Sequence, residues 1–278
     1  MKRSNRPVTS REYKLMLNAD RFKDREAGSE ALWHLVEFLA KEQGGKVKEK
    51  QEQEHVRRTW YVDTAEFALR RRGLVVRVRK EEDKEKPFKI TLKYRESDRY
   101  ISAVRDVSSS KKNKTKFEED ILPPFVSKFS HSTAIEQKKP PKLDSVDELA
   151  ALFPGLEALG LAKNTPLKTV NGFMAHEVAL WMGKLEFGKT PIDHEEHLVK
   201  ASLSFWYLLG EKDELPLVAE FSFDYDVLKK ELDEKKKLER FPRQVVHGTN
   251  RFFRALQKQS GWLNLNATTK TAYVYEGL

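Results

Sequence analysis

Charged residues at alternate positions mark several apolar segments of this sequence. In residues 60–80, WYVDTAEFALRRRGLVVRVRK, Arg77 and Arg79 alternate with Val76 and Val78. Successive side chains of a β-strand point to opposite faces, so the two guanidinium groups would lie side by side on one face. That face is either a solvated surface or a site for an anion.

The same division into an apolar and a charged face recurs in other segments. The further charged faces hold Glu12 and Lys14; Lys89, Thr91, Lys93 and Arg95; Lys116, Glu118 and Asp120; and Glu220, Ser222 and Asp224. One interpretation is a sheet whose charged face lies in water. The other is a barrel with helices on its apolar outside and charges in a hydrated interior, which must hold ions or ligand because unpaired buried charge is costly. Clustered Lys and Arg would then attract a polyanion, and facing carboxylates a hard cation.

The elements that position these faces are strands at short spacing. Strand-like alternation covers residues 11–17, 57–64, 73–80, 87–95, 115–122, 176–188, 198–209 and 215–227. Eight such segments predict an α+β fold with an antiparallel sheet, and closing it into a barrel removes its edges. Helices are predicted for 29–42 with Ser29 as N-cap, from Ser145 to near Pro154, and after Pro242. The polar segments 107–115 and 131–142 are predicted to be mobile connections.

The amino-acid composition limits the kinds of binding partner and of site that this protein can have. Lys plus Arg number 52 against 43 for Asp plus Glu, a net charge of +9 that favours an anionic partner. The sequence has no cysteine, which excludes disulfides, thiolate metal sites and cysteine nucleophiles. No apolar run approaches the length of a membrane span, and we expect a cytoplasmic protein with no membrane partner.

Taken in order, five blocks of the sequence resemble the CYTH superfamily, the triphosphate tunnel metalloenzymes, which include class IV adenylyl cyclases and thiamine triphosphatases. The blocks are EYK at 12–14, YVDTAEFALRRRGLVVRVRK at 61–80, TLK at 91–93, KFEED at 116–120 and VAEFSFD at 218–224. The segment TKTAYVY at 269–275 also resembles the end of family members. The resemblance implies one domain over 1–278, an eight-stranded antiparallel β-tunnel with helices outside, and a less well matched helical or loop insertion around 123–165.

The resemblance also implies a reaction and its residues. It implies a hydrolase, dependent on Mg²⁺ or Mn²⁺, of a triphosphate such as inorganic tripolyphosphate, thiamine triphosphate or a nucleoside triphosphate. By position, Glu12 and Lys14 would be catalytic. Substrate would contact Lys14, Arg77, Arg79, Lys93, Lys116 and Lys168. Metal would contact Glu12, Glu118, Asp120, Glu220 and Asp224. The alternatives are a non-catalytic relative that binds triphosphate, polyphosphate or RNA 5′-triphosphate ends, and a class IV adenylyl cyclase.

The sequence departs from the family pattern at three places. Ser10 and Ser222 stand where carboxylates are expected, and the region 168–172 offers Lys168 instead of an arginine. Of the remaining motifs, HEEH at 194–197 is predicted to be a solvated turn and Arg70 to Arg72 an exposed basic edge. Asp63 is predicted to cap the turn that follows it.

Overall fold

The computed structural model describes residues 7–83, 85–187, 198–209, 215–227, 243–264, 266 and 269–276, without the side chains of residues 51 and 52. In this part of the chain, nine strands form one closed barrel in the order β1-β5-β6-β4-β3-β2-β7-β8-β9. The strands are β1 (Ser10–Leu17), β2 (Gly45–Asp63), β3 (Leu74–Glu81), β4 (Phe88–Glu96), β5 (Asn113–Leu122), β6 (Val126–Gln137), β7 (Lys168–Phe187), β8 (Val199–Leu208) and β9 (Val218–Asp226). The helices are α1 (Arg25–Glu42), α2 (Arg99–Val104), α3 (Val146–Leu152), α4 (Arg243–Gln257) and α5 (Lys270–Glu276), with 3₁₀ turns at Ala19–Phe22, Arg70–Arg72 and Pro154–Leu159.

The barrel confirms the predicted α+β fold with helices outside, but it has nine strands where eight were predicted. The additional strand is β6, which pairs with β4 and β5 and takes up most of a segment that was predicted to be a connection. Its serines and threonines occupy both faces, so the sequence lacks the alternation that marks a half-buried strand. The sheet is also not wholly antiparallel, because β1 and β5 run parallel.

Two outer cores cover the barrel. Tyr13 and Phe223 of β1 and β9 stack at 4.7 Å between ring centroids, and Phe252 and Phe253 of α4 pack against them. Helix α1 contributes Trp33 to this core; the helix begins at Arg25, four residues before the predicted start, because Asp24 caps it by accepting from the Ala27 amide. The outer faces of β3 and β4 are covered by α3 and the 3₁₀ turn after it.

A third apolar cluster fills one end of the barrel interior. Met16, Tyr61, Trp206 and Val218 lie on the inward faces of their strands, and Tyr275 of α5 packs among them. The inward positions nearer the other end carry the charged residues. None of the described helices combines the length and the apolar composition needed to cross a bilayer.

Candidate functional site

The charged faces line a cavity inside the barrel. The cavity measures about 520 Å³ and takes residues from all nine strands. Its lining includes four acidic residues, Glu12, Glu118, Glu177 and Glu220, and eleven basic ones: Lys14, Arg57, Arg70, Arg77, Arg79, Lys89, Lys93, Arg95, Lys114, Lys116 and Lys270. The charged faces therefore line an interior, which decides between the two interpretations that alternation left open. A cavity with this excess of positive charge suits a polyanion.

Asp120 of β5 holds three cations at one side of the cavity. Its side chain is fully buried, and Lys14 donates to Oδ1 at 2.8 Å while Arg95 donates to Oδ2 at 2.6 Å. Lys93 contacts Oδ2 at 3.4 Å, and the Ser130 hydroxyl donates to the same oxygen at 2.7 Å. Burial by itself would raise the pKa of Asp120, but the three cations hold it well below its usual range. We call these five residues the Asp120 cluster.

Glu177 of β7 has a matching arrangement, which we call the Glu177 cluster. Arg57 donates from Nε at 2.8 Å and from Nη2 at 3.1 Å, and the Thr59 hydroxyl donates at 2.7 Å. Arg79 and Lys270 approach Oε1 at 3.5 and 3.6 Å. Burial would raise the pKa of Glu177, but the surrounding cations hold it well below the usual value. Lys270 also contacts Glu220 at 2.8 Å, so α5 contributes a cation to the cavity.

Several of the cations remain incompletely compensated. The Nε atoms of Arg77 and Arg79 are buried, and neither has a hydrogen-bond partner within the described part of the chain. Burial and then the neighbouring Arg77 lower the pKa of Arg79 to about 9. Burial likewise lowers the pKa of Lys93 to about 8, with Arg95 and Lys14 opposing the effect of Asp120. A bound anion would supply both the missing acceptors and the missing negative charge.

The carboxylates that could contact a metal are spread along neighbouring strands. Glu12 pairs across the sheet with Asp120 of β5 and with Asp224 of β9. Burial and then the charge of Glu12 raise the pKa of Asp224 to about 7. Glu118 accepts from Lys116 at 2.9 Å and from Ser10 at 3.0 Å.

These donors do not form a protein cage for a metal. Among the described residues, no three His, Asp or Glu side chains are grouped so that they could hold an ion. Mg²⁺, however, is usually bound by one or two carboxylates together with substrate phosphates and waters. Glu12 and Asp224, two like charges at paired positions, fit that second mode.

The structure brings most of the predicted site residues together. The predicted residues that line the cavity are Glu12, Lys14, Arg77, Arg79, Lys93, Lys116, Glu118 and Glu220. Asp120 lies beneath its three cations, and Asp224 lies beside Glu12. Lys168 is separate from them, because it is exposed at the first residue of β7 and does not line the cavity.

Sequence reasoning missed the Glu177 cluster. Glu177 is the only acidic residue on a face that otherwise shows Ala175, Ala179 and Trp181, so no repeated charge marked it. Arg57 and Thr59 lie at alternate positions and so share one face of the strand, as Arg77 and Arg79 do on β3. This spacing was an available signal. Lys270 lies in a helix, so no strand alternation could predict that its side chain points into the cavity.

The remaining motifs are mainly structural. Asp63 accepts from the amides of Thr64, Leu69 and Arg70, as predicted for a turn cap. Arg71 and Arg72 are exposed as predicted, but Arg70 lines the cavity and lies over the Tyr275 ring at 5.3 Å. The HEEH motif lies outside the described residues.

Comparisons with known proteins give matches to solved structures. No family model and no curated protein matches the chain. A candidate adenylyl cyclase from Hippeastrum, described as having a dominant triphosphatase activity, matches with 12% identity and a TM-score of 0.45, covering 97% of this chain and 95% of that one. A candidate adenylate cyclase from Bacillus halodurans matches with 14% identity and a TM-score of 0.40, covering 95% and 96%. A protein from Pyrococcus horikoshii matches with 12% identity and a TM-score of 0.34, covering 89% of both chains. At these TM-scores the matches do not assign a function to this protein.

Proposed function

We propose that this protein binds the triphosphate group of a small molecule inside its barrel. The observation that carries the proposal is the pair Arg77 and Arg79, whose buried Nε atoms lack partners within the described residues. Leaving a buried donor unsatisfied costs about 1–3 kcal/mol, and more for a charged group. Such an arrangement is stable in the presence of an anion that supplies the acceptors. Guanidinium groups bind phosphate oxygens through two parallel hydrogen bonds, which gives the pair geometric specificity as well as affinity.

The two buried carboxylates give the cavity its shape. Asp120 fixes Lys14, Lys93 and Arg95 on one side, and Glu177 fixes Arg57 and Arg79 on another. Cations held in place before the ligand arrives lose less side-chain freedom on binding. An extended anion with several charged groups brings negative charge for both sets of cations, which a single phosphate does not.

We further propose that the bound triphosphate is hydrolysed with Mg²⁺ or Mn²⁺. The support is the pair Glu12 and Asp224, where the raised pKa of Asp224 reflects burial and a like charge that a cation would relieve. The ion would neutralise charge on the phosphates when bound. Phosphoryl transfer depends mainly on positioning and on charge stabilisation. In this chain Arg77 and Arg79 would orient the phosphates, and Lys14 and Lys93 would stabilise charge that develops on them.

The proposal is tested first by binding. We expect wild-type protein in EDTA to bind tripolyphosphate by calorimetry. Arg77→Ala and Arg79→Ala should each weaken the affinity by roughly tenfold or more, because each loses a charge-assisted contact. Arg71→Ala, which removes an exposed arginine outside the cavity, is the matched control and should bind like wild type. Wild-type affinity in both cavity variants would contradict the proposal.

Turnover is tested in the same preparations. With Mg²⁺ or Mn²⁺, tripolyphosphate, ATP and thiamine triphosphate are assayed for phosphate release, and loss of Arg77 should reduce the rate by about 10²- to 10³-fold. Because no cage of three carboxylates is present in the described chain, we expect Mn²⁺ to bind only when triphosphate is also present. Binding without turnover would favour a non-catalytic triphosphate or RNA 5′-end binding protein. Cyclic AMP with pyrophosphate would indicate a cyclase.

A further inference from the structure

We propose that an uncharged strip beside the phosphate site binds a flat heteroaromatic group, so that the ligand is an organic triphosphate with Trp181 as its stacking residue. The neutral strip consists of Trp181, Ser202 and Ser222 on β7, β8 and β9. All three line the same cavity as the arginines. This inference rests on the proposed triphosphate site and names the class of molecule that carries the triphosphate.

The register of the sheet places the strip next to the phosphate site. Trp181 pairs with Ser202, Ser202 pairs with Ser222, and Ser222 pairs with Lys14 of β1. Neighbouring strands are about 4.8 Å apart, so Trp181 lies roughly 14 Å along the wall from Lys14. The two residues between them are serines, whose small side chains leave room above the wall. A ligand with a phosphate at Lys14 therefore has space for a flat group that reaches Trp181.

The neutral strip lies opposite the basic residues of β4. In the strand order of the barrel, β8 is separated from β4 by four strand steps in one direction and by five in the other. Strand β4 carries Lys89, Lys93 and Arg95. The cavity thus has a strongly basic side. The opposite side also carries Glu177 and Glu220, but the three residues of the strip are uncharged. This division matches a ligand with one polyanionic and one uncharged part.

A local irregularity in β7 follows Trp181 directly. The register of β7 shifts against β8 between Trp181 and Gly183, and against β2 between Lys50 and Gln53. Gly183 has a φ of 144°, and a Cβ there would collide with the Glu49 carbonyl oxygen. Bulges of this kind redirect side chains and occur often beside binding sites. The irregularity is therefore a second feature, independent of the cavity lining, that marks this position.

The indole of Trp181 is well suited to stacking. The side chain is only partly buried, whereas Trp33 and Trp206 are both 0% exposed. The Lys184 ammonium lies 5.5 Å from the ring centroid and is itself fixed by Glu49 at 2.6 Å. An indole held in this way offers an apolar surface of low conformational freedom, and heteroaromatic rings stack on such surfaces irrespective of their substituents.

The serines complete the chemistry of the strip. Hydroxyl groups both donate and accept hydrogen bonds, so Ser202 and Ser222 can meet the polar edge of a heterocycle. Ser222 stands where the family resemblance implies a carboxylate. The serine puts an uncharged hydroxyl at this position.

The test compares organic and inorganic triphosphates by calorimetry in EDTA, which prevents metal-dependent turnover. The ligands are tripolyphosphate, ATP and thiamine triphosphate, and the variants are Trp181→Leu and Trp60→Leu. Trp60 is the matched control because it lies on the outer face of β2, against Phe88. We expect at least one organic triphosphate to bind wild type more tightly than tripolyphosphate does. Trp181→Leu should weaken that ligand on the order of tenfold and leave tripolyphosphate within about twofold.

The outcomes separate the two proposals. If tripolyphosphate fails to bind wild type, the triphosphate site itself is wrong. If it binds as tightly as both organic ligands, or if Trp181→Leu affects all three alike, only the neutral strip is wrong. Trp181→Phe keeps an aromatic ring and should retain part of the preference for the organic ligand over tripolyphosphate. This variant tests the same inference if the leucine variant folds poorly. The ATP and thiamine triphosphate arms show which heterocycle is preferred.

Discussion

At the scale of single residues, the two lysines of the Asp120 cluster differ in how fully their charge is compensated. Lys14 contacts both Asp120 and Glu12 at 2.8 Å, and although burial opposes it, these carboxylates raise its pKa. In the part of the chain that the structure describes, Lys93 forms an ion pair with Asp120 alone, at 3.4 Å, and burial together with Arg95 and Lys14 lowers its pKa to about 8. Lys93 is therefore the cation in this cluster whose charge changes in the neutral to mildly alkaline range.

This difference predicts a pH dependence of ligand binding. Below about pH 8 Lys93 is protonated and attracts the anion; above it the charge is lost, so affinity for tripolyphosphate should fall as pH rises. Asp224, whose pKa is about 7, becomes negatively charged as pH rises. Its repulsion of the anion therefore also lowers the affinity at higher pH. Coupling to one proton gives a slope approaching tenfold per pH unit above the pKa. Calorimetry in EDTA between pH 6.5 and 9 measures it.

The matched comparison for that prediction is Lys93→Met. The variant keeps the length and apolar stem of the side chain, and it should bind more weakly at pH 7 with a shallower slope above pH 8. The titration of tripolyphosphate itself affects both proteins equally and so cancels in the comparison. An unchanged slope in the variant would show that Lys93 does not contribute the proton.

At the scale of elements, β7 contributes both Glu177 and Trp181 to the cavity. The alternation of Glu177, Ala179 and Trp181 on the inward face is regular up to Trp181, and the register shift follows directly. Gly183 is the residue that allows the shift, since its φ of 144° disfavours any L side chain. The backbone at Gly183 therefore sets the register of β7 immediately after the indole.

The substitution Gly183→Ala should be unusually destabilising. Its Cβ would meet the Glu49 carbonyl and approach Trp33 at 3.1 Å, so the two strands or α1 must move. Gly160→Ala is the control: its φ is also positive, at 64°, but nothing lies within 4 Å of the new Cβ. We expect Gly183→Ala to lose about 1–3 kcal/mol more than Gly160→Ala in equilibrium urea unfolding. Equal losses would mean that the bulge accommodates a side chain.

The elements also show what could be read from the sequence. The charged faces of β1, β3, β4, β5 and β9 were predictable because apolar residues alternate with them and fix the register. Strand β6 was not, because serines and threonines on both faces leave no periodic signal. Strand β2 begins at Gly45, twelve residues before the predicted start at Arg57. The earlier part was not predicted because residues 48–54 are all polar and show no alternation. Lys270 was not predictable either, because its contacts with Glu177 and Glu220 arise only when α5 docks at the barrel end.

At the scale of the whole molecule, the closed barrel concentrates positive charge around one cavity. Its closure leaves no free sheet edge in the described strands, and the outer cores pack against the wall. One end is filled by the apolar cluster with Tyr275, whose hydroxyl donates to Asp63 at 3.1 Å. The eleven basic residues of the lining repel one another with only partial relief from Asp120, Glu177 and the other carboxylates. This repulsion is an electrostatic cost that a bound polyanion would reduce.

This cost predicts that tripolyphosphate stabilises the whole fold. A ligand that binds only the folded state adds about 2.7 kcal/mol to the free energy of unfolding at a concentration one hundred times its Kd. We expect a gain of this size in urea unfolding of wild type in EDTA, and a much smaller gain for Arg77→Ala at the same ligand concentration. Inorganic monophosphate at matched ionic strength is the control, because it lacks the linked charges of tripolyphosphate and should stabilise far less. If both anions stabilise both proteins equally, the effect is general charge screening, and the barrel has no specific site for an extended phosphate chain.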